Sequence, residues 1–141
     1  MSGRFSRASS LFLGILMFMF GFLKFFQPFR GWFEIQIQQS HLPHEAIVAG
    51  KVTEMLTGVL FLLPWLQRSL TAKAKDLVLL TACFILFTQM AVAIYVHLQP
   101  SVPAGVLPLG MKPPVIPGVV LLLGLLTAFD VWKQLRAEKA E

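Results

Sequence analysis

The chain has 141 residues, of which 56% are hydrophobic and only 13% are charged, and its net charge is +5. Soluble globular proteins carry roughly 25% charged residues, so this composition excludes an ordinary soluble domain and indicates a single integral membrane domain. The basic residues lie at the ends of apolar blocks, which excludes a nucleic-acid-binding patch. The single cysteine, Cys83, excludes an intramolecular disulfide and a C-x-x-C redox motif, and we interpret it as a packing residue.

Four apolar blocks reach or approach the length of a membrane-spanning helix, which is about 20 residues. They cover residues 9–26, 46–66, 77–97 and 116–132. Arg4 and Arg7 precede the first block, as in a signal peptide, but no small-x-small cleavage site follows it, which favours an uncleaved helix. The predicted fold is an all-α, four-helix membrane bundle that forms one domain over residues 1–141.

The first block carries one lysine, Lys24, in the stretch FGFLKFF near its end. A charge inside a membrane costs at least about 2.5–3.5 kcal/mol on insertion scales, so such residues face the bundle interior and pair. Snorkelling of Lys24 to the nearby interface is the alternative. Gly14, Gly21 and Lys24 fall near one stripe of this helix, at steps of seven and three residues.

The next segment, QPFRGWFEIQIQQSHLPHE, mixes aromatic and aliphatic residues with polar ones, which predicts a short amphipathic helix on the membrane surface. His41, His44 and Glu45 lie at its end. Their spacing around a proline is not that of a helical zinc motif, so we predict no metal site.

The second block contains Glu54 eight residues from its start, about 12 Å deep at 1.5 Å per residue, which is too deep for a glutamate to snorkel. Gly50, Glu54 and Gly58 form one stripe at four-residue steps. Small residues let membrane helices approach closely, so we expect the two glycine stripes to face each other. This arrangement predicts an ion pair between Lys24 and Glu54, with Lys51 one turn above Glu54 on the same face.

The third block follows a short basic turn, QRSLTAKAKD, and carries a row of polar residues. Thr81, Thr88 and Tyr95 recur every seven residues, and Gln89 and His97 flank that row. Hydrogen bonding between helices is the ordinary role of such residues, and a polar chamber around Glu54 is the functional alternative. The predicted pocket for a ligand or partner comprises Lys24, Lys51, Glu54, Gln89, Tyr95 and His97.

The segment between the third and fourth blocks, LQPSVPAGVLPLGMKPPVIPG, contains six prolines, which exclude a regular helix. Its remaining residues are mostly apolar. We therefore expect an extended lid packed over the outer end of the bundle, above the polar chamber.

The distribution of lysine and arginine predicts the orientation of the chain. With the N-terminus in the cytoplasm, eight basic residues lie on the inner side and four on the outer side or at outer helix ends. The outer four are Lys24, Arg30, Lys51 and Lys112. The positive-inside rule therefore predicts four crossings of the cytoplasmic (inner) membrane, with both termini in the cytoplasm.

The stretches FGFLKFF and GKVTEMLTGVLFLLP, together with the four-helix layout, resemble the DoxX/DoxD-like family of small membrane proteins. Gly21, Lys24, Glu54 and Gly58 match the family pattern position by position. The resemblance implies membership in a family whose members include subunits of thiosulfate:quinone oxidoreductase. Other members are linked to oxidoreductase complexes of thiol and oxidative-stress defence, and one branch resembles a receptor-assembly chaperone. This chain lacks the cysteine pairs of some distant relatives.

Three functions are consistent with these features. The first is a non-catalytic membrane protein that binds a partner protein or a small apolar molecule through the pocket at Lys24 and Glu54. The second is a quinone-reactive subunit of an oxidoreductase complex, with Glu54 as proton carrier and Lys24 or His97 at a quinone carbonyl. The third is a small transporter that forms an oligomer. No cofactor is predicted beyond that quinone, and the expected partners are the lipid bilayer, other membrane or redox-complex subunits and further copies of the chain.

Overall fold

The structure is a computed structural model that describes residues 3–140, and these residues contain helices and turns but no strand. Four helices are long and apolar enough to cross a membrane, which confirms the predicted helical membrane bundle. A fifth, shorter helix lies between the first two of them. The helices are α1 (Arg4–Leu23), α2 (Phe29–Gln39), α3 (Glu45–Leu66), α4 (Ala72–Leu98) and α5 (Val115–Ala140).

The four long helices form a closed ring in which α1 packs on α3, α3 on α4, α4 on α5, and α5 back on α1. Their shared core includes Leu13, Phe61, Leu86 and Cys83, all of them buried. We call the end that holds both chain termini and the α3–α4 turn (67–71) the termini end. The opposite end, which holds α2 and the proline-rich residues 99–114, is the lid end.

Four helix boundaries differ from the predicted spans by more than one residue. Helix α1 begins at Arg4 and ends at Leu23, α4 begins at Ala72, and α5 continues to Ala140. An apolar block marks only the part of a helix that lies in hydrocarbon, whereas Lys, Gln, Arg, Glu and Ala continue a helix readily in water. The last turns of α5 have this composition, so the helix extends beyond its apolar block.

Glycines allow α1 and α3 to pack with their backbones in contact. A methyl group at Gly58 would lie 2.5 Å from the backbone nitrogen of Phe18, and one at Gly21 would lie 2.8 Å from the carbonyl oxygen of Lys51. Gly14 approaches the carbonyl of Gly58 in the same way. The predicted contact between glycine stripes therefore holds for these three positions.

Gly50 was expected on the same interface, and that expectation is wrong. A methyl group at Gly50 would lie 2.6 Å from the ring of Phe33, so this glycine admits an aromatic side chain of α2. Helix α2 uses Phe33 and Ile37 as its buried face and packs on α3. It is therefore a roof over the lid end, fastened at Gly50.

The lid contains two short 3₁₀ turns, Ala104–Val106 and Pro108–Gly110, where an extended segment was expected. Side chains fasten it to its neighbours, because the amide of Gln36 donates to the Val106 carbonyl and the Lys112 amine donates to the carbonyls of Gln99 and Val102. Within the lid, Val102 is buried and clusters with Val96, Val106 and Leu107. The lid is thus a packed cover that is continuous with α2.

Polar side chains join α1 to α5 at the termini end. The Asp130 carboxylate accepts a hydrogen bond from the Ser6 backbone N–H at 3.2 Å and another from the Gln134 amide at 2.9 Å. Deeper in the bundle, the Thr127 hydroxyl lies 2.8 Å from the hydroxyl of Ser9, and both residues are buried. Since the first backbone N–H groups of a helix have no partner within it, Asp130 supplies a cap to α1 from a different helix.

Candidate functional site

The lid end contains a charged pair between the two most closely packed helices. The Lys24 amine, at the C-terminal end of α1, donates to both carboxylate oxygens of Glu54 at 2.6 and 2.7 Å. Both side chains are largely buried, with 19% and 15% of their surfaces exposed. The ion pair predicted from the two stripes is therefore present, and it holds two charges that neither helix could place singly in a membrane.

An aromatic ring of α2 covers this pair. The Lys24 amine lies 4.1 Å from the centre of the Phe33 ring, in a cation–π contact. Phe33 is buried and also fills the space above Gly50. The roof helix thus screens the pair from the outside of the bundle, which strengthens the attraction between the two charges.

Beneath α2 and the lid, the four long helices line a partly open cavity of about 960 Å³, which we call the lid cavity. Its walls are mainly apolar, with Leu16, Phe20, Val92 and Val120 among them. Small-molecule sites have volumes of roughly 300–1,000 Å³, with apolar walls and a few placed polar groups. The polar side chains on these walls belong to Lys24, Gln36, Thr53, Glu54, Thr88, Gln89 and His97.

Gln89 is the wall residue whose polar atoms have no partner. Both the nitrogen and the oxygen of its amide are buried, and neither makes a hydrogen bond within the described residues. A buried amide without partners costs about 1–3 kcal/mol, so few are found in folded proteins. Gln89 and Glu54 each lie nine residues from the lid-end terminus of their helix, which places both at a depth of about 13 Å.

His97 contributes a hydrogen-bond acceptor nearer the lid. Its Nδ1 lies 2.8 Å from the Ala93 carbonyl oxygen and therefore donates, because a carbonyl can only accept. In the neutral ring Nε2 is then an acceptor, and it makes no hydrogen bond to the described part of the protein. Gln89, Ala93 and His97 follow one another at four-residue steps and all line the cavity, so one face of α4 presents two polar groups separated by an alanine.

Two of the residues predicted for the pocket lie outside the cavity. The Lys51 amine, expected near Glu54, lies over the ring of Phe25 at 5.3 Å. The Tyr95 hydroxyl donates to the backbone carbonyl of Ser40 at 3.2 Å and fastens α4 to the end of α2. These contacts, with Phe25 and with the end of α2, hold both side chains away from the cavity wall.

Thr81 and Thr88, the remaining residues of the predicted polar row on α4, form hydrogen bonds to their own helix. The hydroxyls of Thr81 and Thr88 donate to the carbonyls of Leu77 and Ile85, which satisfies them without a neighbouring helix. Residues 3–140 contain no group of three or more His, Cys, Asp or Glu side chains that could hold a metal ion. The histidines of the segment before α3 are exposed and do not join the cavity.

Sequence reasoning missed Phe33 and Gln36 as roof residues, and it missed the polar seam at the termini end. The seam has a signal in retrospect, because Ser6 and Ser9 lie three residues apart on one face of α1 and both contact α5. The roof residues have no comparable signal. Comparison of the chain with protein-family models, curated proteins and solved structures returned no match.

Proposed function

We propose that this protein is a non-catalytic membrane protein that binds a small, uncharged, largely apolar molecule in the lid cavity. The observation that carries the proposal is the unpartnered amide of Gln89 on the wall of a cavity of about 960 Å³. A ligand with a hydrogen-bonding head would supply the partners that the protein does not. The rest of the ligand would contact the apolar walls.

The electrostatics of the cavity favour a neutral ligand. Lys24 and Glu54 neutralise each other, since the lysine already donates to both carboxylate oxygens. The Gln89 amide offers a donor and an acceptor, and in the neutral ring of His97 Nε2 offers an acceptor. A molecule that carries both a hydroxyl or amide N–H and a carbonyl would complement this set.

The resemblance to the DoxX/DoxD-like family supports this proposal, because the four residues that carry it include both members of the ion pair. We propose the cytoplasmic (inner) membrane as the location, with both termini in the cytoplasm. Lipids, other membrane or redox-complex subunits and further copies of the chain are the proposed partners. Reporter fusions at Ala72 and at the C-terminus should report the cytoplasm, and a fusion within residues 101–110 the exterior; an exterior C-terminus would contradict this orientation.

A quinone-reactive subunit is the second candidate, and the face of α4 with Gln89 and His97 favours it. The Gln89 amide can donate to a quinone carbonyl, and His97 Nε2 can accept from the hydroxyl of the reduced quinol. His97 was expected to donate a hydrogen bond to a quinone carbonyl. In this arrangement it instead accepts one from a quinol hydroxyl. Identification of a co-purified quinone by mass spectrometry would favour this function over the first.

Substitution of Gln89 tests whether the cavity binds a ligand. In Gln89→Leu the unpartnered amide is gone, so we expect the ligand-free protein to be as stable as the wild type or up to about 2 kcal/mol more stable. We expect the wild type to co-purify with its ligand and Gln89→Leu to lose it. Organic extraction and mass spectrometry of both proteins, with melting temperatures in detergent, would measure the two effects.

The exposed glutamine Gln38 on α2 provides a matched control, because Gln38→Leu makes the same chemical change away from the cavity. We expect this variant to retain the wild-type amount of the co-purified molecule. Equal retention by Gln89→Leu and Gln38→Leu would rule out Gln89 as a ligand contact. A destabilised Gln89→Leu would show instead that the amide has a partner within the protein.

A further inference from the structure

A second, smaller cleft lies at the termini end, far from the lid cavity. It has a volume of about 180 Å³ and is lined by Lys73, Leu77, Trp132, Leu135, Arg136 and Lys139. Lys73 and Leu77 lie four residues apart on α4. The other four lie on one face of α5, at steps of three, one and three residues. Two adjacent helix faces therefore bring three cations to one cleft, which we call the basic cleft.

The cations of the basic cleft have no acidic partner among residues 3–140. None of Lys73, Arg136 and Lys139 forms an ion pair within the described residues. The Arg136 guanidinium stacks on the Trp132 ring at 4.6 Å, which holds it at the cleft. The nearest carboxylate along α5, Glu138, is two residues from Arg136 and so points to another side of the helix.

The floor of the basic cleft is apolar, and it continues toward the middle of the bundle. Leu77 is half exposed, and on the same face of α4 Phe84 is 69% exposed. On α5 the face that carries Trp132 continues to Leu125, which is also exposed. A cleft with cations at its end, adjoined by exposed apolar helix faces, complements the charged headgroup and the acyl chains of a lipid.

We propose that the basic cleft binds an anionic phospholipid, with the phosphate between Lys73, Arg136 and Lys139. The acyl chains lie along the exposed apolar faces of α4 and α5. A soluble phosphate-bearing molecule would share the headgroup chemistry, but it would leave the exposed apolar helix faces uncovered. The proposal is independent of the function of the lid cavity, because the two sites share no residue.

Native mass spectrometry of the full-length protein in detergent tests this site. Phosphatidylglycerol and phosphatidylcholine with the same acyl chains would be added to the wild type and to the triple variant Lys73→Gln/Arg136→Gln/Lys139→Gln. The variant should bind phosphatidylglycerol about tenfold more weakly, because it lacks the three cations that attract the anionic phosphate. Binding of phosphatidylcholine should be weak in both proteins.

The triple variant Arg68→Gln/Lys75→Gln/Lys133→Gln removes the same charge from the same end but leaves the cleft intact, and it should bind phosphatidylglycerol like the wild type. Equal losses in the two triple variants would overturn the proposal in favour of unspecific attraction. Binding of phosphatidylcholine as tight as that of phosphatidylglycerol would also overturn it. Stabilisation by inorganic phosphate equal to that by phosphatidylglycerol would identify a site for soluble anions instead.

A second measurement keeps all three cations and so does not depend on the folding of the triple variants. In a Trp32→Phe/Trp65→Phe protein, the remaining fluorescence comes from Trp132 in the cleft. Phosphatidylglycerol with brominated acyl chains should quench this fluorescence at least about twofold more than brominated phosphatidylcholine, because its headgroup is held by the cations. Equal quenching by the two lipids would overturn the proposal.

Discussion

The two ends of the bundle use buried polar groups in opposite ways. At the termini end, Asp130 and Gln134 on α5 bind the first turn of α1, and the Thr127 hydroxyl meets that of Ser9. At the lid end, the helices line a cavity whose walls carry the amide of Gln89 without a partner. The polar groups buried at the termini end satisfy one another, whereas the lid end retains a buried amide that can still form hydrogen bonds.

This difference indicates which end can bind a molecule inside the helix bundle, as distinct from the basic cleft on its surface. Polar groups that satisfy one another inside a protein rigidify it and leave nothing to recognise a ligand. An unsatisfied group lowers stability by about 1–3 kcal/mol, and a bound molecule that pairs with it recovers that free energy. The ion pair lies between these two cases, because Lys24 and Glu54 satisfy each other and also form part of the cavity wall.

Breaking the ion pair should produce the largest loss of stability. Lys24→Met leaves the Glu54 carboxylate without its partner among apolar walls, and Glu54→Gln leaves the lysine, so each should cost about 3–5 kcal/mol. The double variant removes both charges, so its loss of unfolding free energy should be smaller than the sum of the losses in the two single variants. Melting temperatures of the four proteins in detergent would give this coupling free energy.

The exposed pair of Arg30 and Glu34 on α2 supplies the control, since its atoms lie 3.2 Å apart on the surface. Glu34→Gln should cost less than about 0.5 kcal/mol, because exposed pairs contribute little. Additive effects of Lys24→Met and Glu54→Gln would contradict the pairing. A double variant that regains stability but loses the co-purified molecule would place the pair in the binding site.

The contact between α1 and α3 should be the next most sensitive feature. Gly58→Ala places a methyl group 2.5 Å from the backbone of Phe18, so the helices must separate, at a cost of about 1–3 kcal/mol. Because this contact holds Lys24 against Glu54, the variant should also lose part of the co-purified molecule. Thermal unfolding in detergent would measure the first effect, and mass spectrometry the second.

Gly118→Ala is the matched control for this substitution, because a methyl group there would have no atom within 4 Å. It should be neutral or stabilise the protein by up to about 1 kcal/mol, since alanine restricts the unfolded chain. A Gly58→Ala protein as stable as Gly118→Ala would mean that α1 and α3 can shift without loss. The contact between Lys24 and Glu54 would then not depend on the close approach of α1 and α3.

The sequence predicts the Lys24–Glu54 pair at the lid end well, because the residues of one helix face suffice to predict it. Four apolar blocks determine the four spans, and the stripes with Gly21, Lys24, Glu54 and Gly58 predict which faces meet. Such predictions succeed because a charge or a glycine in an apolar helix has few tolerable neighbours. The same reasoning fails at Gly50, because a small residue also accepts an aromatic side chain, here that of Phe33.

The cavity itself could not be predicted, because its volume depends on how far four helices diverge at one end. Tyr95 has the same seven-residue spacing as Thr88, yet only Thr88 lines the cavity, since the tyrosine hydroxyl donates to the carbonyl of Ser40 at the end of α2. The hydrogen bonds between α1 and α5 join residues more than 110 positions apart. No local sequence pattern indicates a contact between residues so far apart in the chain.

The smallest expected effect comes from the termini end, and it tests whether the two ends are independent. Asp130→Asn keeps the size of the side chain but removes a negative charge from the N-terminus of α1, where it accepts the Ser6 N–H. The loss should be about 0.5–1 kcal/mol, because a carboxylate at that position interacts favourably with the helix dipole. Glu138→Gln, an exposed change of the same charge on the same helix, should change the melting temperature less. Both variants should retain the full amount of the molecule that co-purifies with the wild type, since the lid cavity lies at the other end. If Asp130→Asn lost that molecule while Glu138→Gln kept it, closure of the termini end would be required for the cavity to form.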